Sequence, residues 1–267
     1  MENIIKETLV EALRTGGKIL LEYFDKPVKT HHKESQSNIV TEADMKSDSM
    51  IVSFIADRFP EHNIISEESG FNNKMSGYTW VIDPLDGTSN FAASIPWFGV
   101  LISLFEGNIP VLGGAFLPSF NVLYFAERGK GSLRNGKTLI LDANKDLKNS
   151  LIAFSVDYTE DEAFLNKGIS IYKHIIKNAR NIRSTNSLID FICVAEGKFG
   201  GCINLYTRIW DISALELIIS EAGGVMLDIV GNEIKYSIDN DIINRNFSVI
   251  SGSKKIVESL IRFSGGL

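Results

Sequence analysis

The sequence predicts a mixed α/β fold in which helices cover layered sheets. Helix-like and strand-like segments alternate beyond residue 150, which is typical of a mixed sheet covered by helices. Before that point the pattern changes at Pro60, from two amphipathic helices to a run of short β-rich segments. No repeat, low-complexity tract or linker divides the 267 residues. We therefore expect one domain over residues 1–267, with two lobes of roughly 1–145 and 146–267.

Composition and charge exclude several classes of protein. Hydrophobic residues make up 44% and charged residues 22% of the chain, as in ordinary globular domains, so disordered and coiled-coil classes are excluded. The formal net charge is −6 and no block of Lys or Arg occurs, so no nucleic-acid partner is expected. The polar N-terminal segment is not a secretion signal, and no apolar run has the length of a membrane span, so no membrane association is expected. The only cysteines, Cys193 and Cys202, favour a reducing cytoplasm.

Two helices are predicted in the first lobe. Apolar residues recur at helical spacing over residues 2–24, and a proline follows them. The polar stretch 26–38 lacks periodicity and is predicted to be a loop or flap. Helical spacing resumes over residues 41–59. Short strands are then predicted at residues 63–66, 79–83, 99–105, 111–116 and 122–127.

The second lobe alternates between the two kinds of element. Strands are predicted at residues 151–156, 180–184, 201–205, 225–228 and 247–251. Helices are predicted at residues 160–177, 187–197, 211–222 and 254–263. Gly223 and Gly224 follow the third of these helices, as is typical of a helix end.

The most informative segment for function is 80–91, WVIDPLDGTSNF. An apolar strand delivers Asp83 and Asp86, and the proline between them prevents simple continuation of the strand. Gly87 permits close backbone approach. A helix that begins near Asp86 would offer the free amides of Gly87 and Thr88 to an anion. The segment therefore predicts a place where cations and an anion meet.

The two aspartates of this segment predict a metal site. They repel each other unless a cation neutralises them, because the segment contains no Lys or Arg. Oxygen ligands without clustered His or Cys select a hard cation such as Mg²⁺. An isolated pair of this kind is more often a helix-capping Asp beside a structural one. The flanking strand and the Pro, Gly and Thr residues favour the metal site here.

Three further acids stand at the ends of predicted elements. Glu67 follows the strand at 63–66, where it can add an oxygen ligand to a neighbouring metal. Asp44 and Asp211 stand at the starts of helices, and for both the ordinary alternative is capping of the helix. Trp210 beside Asp211, and the need of a second metal for a ligand on its far side, favour a functional role for Asp211.

These segments resemble the signatures of the inositol monophosphatase family. DPLDGTSNF at 83–91 is similar to the first signature and WDISALELIISEAGG at 210–224 to the second, with VTEAD at 40–44 and SEES at 66–69 in the expected order. The wider superfamily of Mg²⁺-dependent, lithium-sensitive phosphatases also includes fructose-1,6-bisphosphatases, histidinol phosphatases and 3′-phosphoadenosine 5′-phosphate phosphatases. The resemblance implies a layered αβαβα sandwich, a homodimer and two or three Mg²⁺ ions per subunit.

The resemblance also implies a ligand set for these ions. Glu67, Asp83 and the carbonyl of Leu85 would hold the first Mg²⁺. Asp83, Asp86 and Asp211 would hold the second, with Asp83 bridging the two. Glu67 would in addition hold a weak third ion through water.

The implied chemistry is hydrolysis of a phosphate monoester without a covalent phosphoenzyme. Glu67 and a hydrogen-bonded pair of Thr88 and Asp44 would orient the water for in-line attack on phosphorus. The amides of Gly87 and Thr88 would cradle the phosphate oxygens. The residues expected to contact the substrate are Asp86, Gly87, Thr88, Asn186, Ser187, Leu188, Asn204 and Asp211.

The predicted substrate pocket departs from family members that act on inositol. Those members tend to have a small Gly-Thr-Ala or Gly-Ser-Ala stretch, where RSTNSLIDF supplies Asn186, Ser187 and Leu188 here. This difference predicts a bulkier pocket wall. Asn204 stands where those members have a Glu that contacts the inositol hydroxyls, seven residues before the aspartate of the second signature. The ring-binding face therefore loses a charge.

We expect a Mg²⁺-dependent phosphomonoesterase that acts on a small phosphorylated polyol, sugar or related metabolite. Fructose-1,6-bisphosphatase, histidinol phosphatase and 3′-phosphoadenosine 5′-phosphate phosphatase activities are the alternatives within the enzyme class. Arg183 and Arg208 lie near the pocket positions, where they either form surface ion pairs or bind a second phosphate. A binding or regulatory protein without turnover is the alternative outside that class. Loss of a metal carboxylate would favour it, and none is lost.

Overall fold

The computed structural model describes residues 2–27, 30–32 and 39–264. The α-helices in this part are α1 (Glu2–Tyr23), α2 (Glu42–Arg58), α3 (Thr88–Ala92), α4 (Glu162–Asn178), α5 (Leu188–Ala195), α6 (Ile209–Glu221) and α7 (Lys254–Ser264). The strands are β1 (Thr30–His32), β2 (Ile39–Thr41), β3 (Asn63–Ser66), β4 (Gly70–Asn72), β5 (Tyr78–Asp86), β6 (Gly99–Glu106), β7 (Ile109–Leu117), β8 (Val122–Glu127), β9 (Gly131–Arg134), β10 (Lys137–Leu139), β11 (Leu151–Ser155), β12 (Asn181–Arg183), β13 (Gly201–Thr207), β14 (Val225–Asp228) and β15 (Phe247–Gly252). Short 3₁₀-helices cover Pro118–Phe120 and Ile242–Asn244.

The described strands form two large sheets and one small hairpin. The first sheet has eight strands in the order β10-β9-β8-β7-β6-β5-β3-β4, and its neighbours are antiparallel except for β3 and β5. The second sheet has five strands in the order β12-β11-β13-β15-β14. In that sheet β11 is parallel to both β12 and β13, whereas the pairs made by β15 are antiparallel. The small hairpin pairs β1 with β2.

Helices alternate with the two sheets in five layers. α1 and α2 cover one face of the eight-stranded sheet, and α6 packs against its other face with α5 beside it. The five-stranded sheet lies on the far side of α5 and α6, and α4 and α7 cover its outer face. Buried apolar side chains fill the spaces between the layers. This αβαβα order confirms the layered α/β fold class.

Two adjacent glycines allow β7 to lie between two helices. A Cβ atom on Gly113 would lie 2.8 Å from the carbonyl oxygen of Ala214 in α6. A Cβ atom on Gly114 would lie 2.5 Å from the side chain of Leu13 in α1. Successive residues of a strand face opposite sides of a sheet. The pair therefore lets α6 and α1 approach the same strand closely from its two faces.

The predicted helices and longer strands are confirmed, and their ends differ from the predicted ones by three residues or fewer. The largest difference is in β5, which continues through Pro84 to Asp86, because its pairing with β6 resumes after an irregularity. No helix within the described residues is both long enough and apolar enough to cross a bilayer.

The polar stretch 26–38, predicted to be a loop or flap, contains a strand. Thr30–His32 forms β1, in which Thr30 lies opposite Thr41 of β2. These polar residues form a strand because β2 supplies their backbone hydrogen bonds. Pairing of this kind produces no hydrophobic periodicity within the stretch, so the sequence pattern did not reveal it. Residues 28–29 and 33–38 lie outside the described residues. The short strands β2, β4, β9 and β10 were also not predicted.

Replacing Gly113 by Ala tests the close contact between β7 and α6. The added methyl group meets backbone atoms of Ala214, which cannot move without shifting the helix. We expect the free energy of unfolding, measured by urea titration, to fall by about 1–3 kcal/mol. Gly77→Ala is the matched control, because a Cβ atom there meets nothing within 4 Å. Equal stability of the two variants would contradict the proposed contact.

Candidate metal centre and substrate cleft

The aspartates of the first signature lie on an irregular strand within the eight-stranded sheet. The pairing of β5 with β6 shifts register between Asp83 and Asp86, because Pro84 has no N–H to give to the ladder. The hydroxyl of Ser47 in α2 donates to the carbonyl oxygen of Pro84 at 2.9 Å. Both aspartates line the same cleft, so the irregularity presents two acids to one space.

A glycine in the left-handed conformation ends β5. Gly87 has a φ of 87°, which L side chains rarely adopt. A Cβ atom there would lie 2.6 Å from the carbonyl oxygen of Trp97, so the position also lacks space for one. α3 begins at the next residue, Thr88, close to where the sequence predicted a helix to start. The turn brings Thr88 to the cleft beside Asp86.

Three aspartates from two parts of the chain meet in the cleft. One carboxylate oxygen from each of Asp83, Asp86 and Asp211 lies within 4.8 Å of the others. One oxygen of each accepts a backbone N–H. The donors are Leu85 for Asp83 at 3.0 Å, Leu188 for Asp86 at 2.5 Å and Arg208 for Asp211 at 2.6 Å. Within the described residues, the second oxygen of each has no hydrogen-bond donor, and no Lys or Arg side chain pairs with the three.

Burial and mutual repulsion make ionisation of these three carboxyls costly. Burial, together with the charges of neighbouring carboxylates, raises the pKa of Asp83 and of Asp211 well above the ordinary range of an aspartate. Burial raises the pKa of Asp86 to about 7, the N–H of Leu188 opposes that rise, and the charge of Glu67 adds to it. Near neutral pH, full ionisation of the three therefore needs a compensating positive charge.

The donor set fits a hard divalent cation. Carboxylate oxygens are the ligands that Mg²⁺ prefers, whereas zinc sites usually contain His or Cys. Neither of these residue types is among the described residues that line the cleft. The three aspartates are close enough to bind one ion together. We conclude that this group can hold a metal ion.

Asp44 connects the start of α2 to the cleft. Its Oδ2 accepts the backbone N–H of Thr41 at 2.8 Å and the hydroxyl of Thr41 at 2.5 Å, which completes a capping box. Its Oδ1 accepts the hydroxyl of Thr88 at 3.1 Å. Burial raises the pKa of Asp44 to about 6. The capping role and the predicted pairing with Thr88 therefore occur together, one on each carboxylate oxygen.

The hydroxyl of Thr88 has a choice of two acceptors. It lies 3.1 Å from Oδ1 of Asp44 and 3.0 Å from the carbonyl oxygen of Leu85. A hydroxyl carries a single proton, so it donates to one of these acceptors at a time. A cation bound to the Leu85 carbonyl would leave the Asp44 carboxylate as the better acceptor.

Glu67 lies at the end of β3, beside the three aspartates. β3 runs parallel to β5, and the backbone N–H of Glu67 donates to the carbonyl oxygen of Ile82 at 3.2 Å. Parallel strands end at the same edge of a sheet, so both deliver their acids to one place. The charge of Glu67 contributes to the raised pKa of Asp83 and of Asp211, which is consistent with this position.

The cleft has a volume of about 500 Å³, enough for a small metabolite. The first half of the chain contributes the end of β3 and the turn from β5 to α3. The second half contributes the segment after β11, the turn before α5, the strand β13 and the start of α6. The site therefore lies where the two halves of the chain meet.

Most of the predicted substrate residues line this cleft. They are Asp86, Gly87, Thr88, Asn186, Ser187, Asn204 and Asp211. Leu188 does not line it, because α5 begins at this residue and directs the side chain into the core. The prediction that Leu188 makes the pocket wall bulkier is therefore wrong, and its contribution is the backbone N–H that Asp86 accepts. Of the two arginines considered from the sequence, Arg208 lines the cleft and Arg183 does not.

Sequence reasoning missed several polar and aromatic residues of the cleft, namely Asp157, Tyr158, Tyr206 and Asn244. A signal for the first three existed. They stand at or after the ends of β11 and β13, which are parallel neighbours, and side chains at the carboxyl ends of parallel strands gather at one edge of a sheet. Asn244 lies in a short 3₁₀-helix, for which the sequence offered no periodic pattern.

Comparisons with known proteins agree with the geometry. The model of the inositol monophosphatase family matches residues 2–262. A fructose-1,6-bisphosphatase/inositol-1-monophosphatase of Aquifex aeolicus is 33% identical over 229 residues, which cover 84% of this chain and 86% of that protein. A putative Nus factor SuhB of Neisseria meningitidis serogroup B is 30% identical over 261 residues, which cover 96% of this chain and 99% of that protein. The structure of a Thermotoga maritima IMPase matches with a TM-score of 0.85 at 26% identity, covering 100% of this chain and 98% of that one.

The raised pKa of Asp86 predicts how the stability of the metal-free protein depends on pH. An aspartate with a pKa of about 7 when folded and about 4 when unfolded binds more protons in the folded state between these values. Its contribution to stability is therefore favourable at low pH and is lost as the pH rises toward 7. We expect the Tm of the EDTA-treated protein, relative to Asp86→Asn, to fall by several degrees between pH 5 and pH 8.

Measuring the Tm of the same proteins at the same pH values with Mg²⁺ added tests whether metal binding competes with protonation. Protons compete with the metal for the carboxylates, so Mg²⁺ should raise the Tm of the wild type more at pH 8 than at pH 5. Asp57→Asn, on the exposed side of α2, should follow the wild type in both arms. A difference between wild type and Asp86→Asn that does not vary with pH would contradict the assignment.

Proposed function

We propose that this chain, which belongs to the inositol monophosphatase family, is a Mg²⁺-dependent phosphomonoesterase for a small phosphorylated metabolite. One observation carries the proposal. Three aspartates gather in a polar cleft without a pairing cation among the described residues, and each keeps a carboxylate oxygen free of hydrogen bonds. Such an arrangement is costly for the apoprotein and is explained by binding of divalent cations.

The proposed ligand set consists of four acids and one backbone carbonyl. Glu67, Asp83 and the carbonyl of Leu85 would hold one Mg²⁺, and Asp83, Asp86 and Asp211 would hold a second. A third, weaker ion would be held by Glu67 through water. When bound, Mg²⁺ supplies charge that stabilises the phosphate and the leaving oxygen and makes a water easier to ionise.

Glu67 and Thr88 would orient the attacking water. When the Thr88 hydroxyl donates to Asp44, its oxygen is left as an acceptor for a proton of that water. Glu67, on the neighbouring strand end, would accept the other proton. The burial that raises the pKa of Asp44 to about 6 still leaves it ionised above neutral pH, so it can keep the hydroxyl in this orientation.

The turn after β5 would hold the phosphate group. Gly87 and Thr88 line the cleft, and their backbone N–H groups are suited to phosphate oxygens. α3 has only five residues, so its dipole adds little to this binding. Attack by water on phosphorus then releases the alcohol and inorganic phosphate, and no residue of the chain forms a covalent bond to phosphorus.

The leaving group is proposed to be a polyol or a sugar. The relative from Aquifex aeolicus is named for both fructose 1,6-bisphosphate and inositol 1-phosphate hydrolysis, and both substrates have hydroxyl-rich leaving groups. Asn204 lines the cleft where inositol-specific relatives are expected to have a Glu, so the charge that contacts the inositol hydroxyls in those relatives is absent here. Histidinol phosphatase and 3′-phosphoadenosine 5′-phosphate phosphatase activities are the remaining alternatives.

A binding or regulatory role is a second candidate function. It is favoured by the relative from Neisseria meningitidis, whose name describes a Nus factor, at 30% identity over nearly the full length of both chains. The intact set of metal carboxylates gives no sign that turnover has been lost. Mg²⁺ that fails to bind at millimolar concentration would favour this second candidate.

Three further properties are proposed from family membership alone. They are assembly as a homodimer, inhibition by lithium and a cytoplasmic location. The two cysteines are unpaired, as a reducing compartment would allow.

Phosphate release by the purified protein tests the proposed function. The panel contains inositol 1-phosphate, fructose 1,6-bisphosphate, histidinol phosphate, 3′-phosphoadenosine 5′-phosphate and glycerol 2-phosphate, each with Mg²⁺ and with EDTA. We expect Mg²⁺-dependent release that is strongest for one polyol or sugar phosphate. Release that EDTA does not abolish, or no release from any compound by folded protein, would contradict the proposal.

Two variants separate loss of the site from loss of the fold. Asp83→Asn removes a charge from the centre of the metal group, so Mg²⁺-dependent release should be abolished while the far-UV circular dichroism is unchanged. Asp57→Asn removes an exposed aspartate and should retain wild-type activity. Substantial activity in Asp83→Asn would overturn the ligand assignment.

A further inference from the structure

Asp157 is an acid of the cleft that the proposed chemistry does not use. It follows β11, lines the cleft with Asp86 and Asp211, and is half-buried. Its charge contributes to the raised pKa of Asp86 and of Asp211, so it acts electrostatically on the metal group. Asp157 is neither a proposed metal ligand nor one of the residues proposed to orient the water.

Asn186 fixes the orientation of this carboxylate. The side-chain amide of Asn186 donates to Oδ1 of Asp157 at 2.8 Å. Asn186 has a φ of 49°, in the left-handed region, and its backbone N–H donates to the buried carboxylate of Asp190 at 3.2 Å. A constrained turn therefore holds Oδ1 of Asp157. Within the described residues, Oδ2 accepts no hydrogen bond and no Lys or Arg side chain pairs with the carboxylate.

The surroundings of Asp157 favour hydroxyl groups over a second phosphate. Asn204, Tyr206 and Asn244 offer amide and phenol groups to the same cleft. The guanidinium of Arg208 donates to the carbonyl oxygen of Asn244 and, at 3.3 Å, to the hydroxyl of Tyr206, whose ring it also covers. The guanidinium of Arg208 is therefore held by its neighbours, whereas the carboxylate of Asp157 keeps one free oxygen. A phosphate dianion beside that oxygen would be repelled.

We propose that Asp157 is a specificity-determining residue, whose free oxygen accepts hydrogen bonds from hydroxyl groups on the leaving group of the substrate. This inference rests on the proposed phosphatase function. Asp157, after β11, would recognise the hydroxyl groups of a polyol. Position 204, where inositol-specific members of the family are expected to have a Glu, is a neutral Asn here. Asn186 is the positioning residue that holds the carboxylate toward the leaving group.

The variant Asp157→Asn tests this role without removing the contact to Asn186. The Asn oxygen still accepts the Asn186 amide, but the free acceptor becomes an NH₂ donor. The test substrate is the preferred polyol or sugar monophosphate from the panel. Phenyl phosphate serves as a substrate without leaving-group hydroxyls, and O-phosphoethanolamine as one whose leaving group has a cationic amine. We expect kcat/KM for the polyol phosphate to fall about 10- to 100-fold, mainly through KM, because a hydrogen bond to a charged group is lost.

Two comparisons make this result specific. Phenyl phosphate has no hydroxyl on its leaving group, so at saturating Mg²⁺, where the charge of Asp157 no longer limits metal binding, its kcat/KM should stay within about 2-fold of the wild type. Glu162→Gln, exposed in the first turn of α4 and outside the cleft, should leave both substrates unaffected. Asn186→Gly removes the side-chain amide and tolerates the positive φ of this position, so it should raise KM for the polyol phosphate by releasing Asp157 from its orientation.

The outcomes separate this inference from the proposed function. Hydrolysis of phenyl phosphate by the wild type with Mg²⁺ supports the phosphatase function whatever Asp157 does. Equal loss for polyol phosphate and phenyl phosphate in Asp157→Asn, or no loss for either, overturns the role of Asp157 alone. A loss confined to O-phosphoethanolamine, or a wild type with no preference for any polyol phosphate over phenyl phosphate, overturns hydroxyl recognition. Hydrolysis of no substrate by the wild type overturns both proposals.

Discussion

Mutual repulsion among Asp83, Asp86 and Asp211 determines what the site requires of the surrounding structure. Each carboxylate is held by one backbone N–H, and these contacts fix geometry without neutralising charge. Burial then raises the pKa of all three. The arrangement is unfavourable for the empty protein and favourable once divalent cations bind, so folding energy from the surrounding layers must hold the acids together.

The layered architecture supplies that energy and sets the position of the cleft. Asp83 and Asp86 come from the eight-stranded sheet, whereas Asp211 stands in the first turn of α6, the helix packed between the two sheets. The backbone N–H of Leu188 at the start of α5 holds Asp86, which links the two halves of the chain at the site. Movement of α5 or α6 relative to the first sheet would therefore change both the metal group and the pocket.

The sequence predicted the aspartate cluster better than the rest of the cleft. The segment around Asp83 and Asp86 combines a strand, a proline and a glycine in one continuous stretch, so the local sequence was enough to predict that these two acids lie together. Asp157 becomes visible only when β11 and β13 are known to be parallel neighbours, which is a tertiary fact. Leu188 was misjudged because the start of α5 decides where its side chain points. The strand β1 was missed because its hydrogen bonds come from a partner.

Anomalous diffraction from crystals grown with Mn²⁺ would locate any divalent metal that the three aspartates hold. Mn²⁺ binds the same oxygen ligands as Mg²⁺ and gives an anomalous signal that locates it. We expect strong peaks within coordinating distance of Asp83, one shared with Asp86 and Asp211 and one toward Glu67. A cleft without a peak at saturating Mn²⁺, in crystals of folded protein, would contradict the proposal that the three aspartates hold divalent metal.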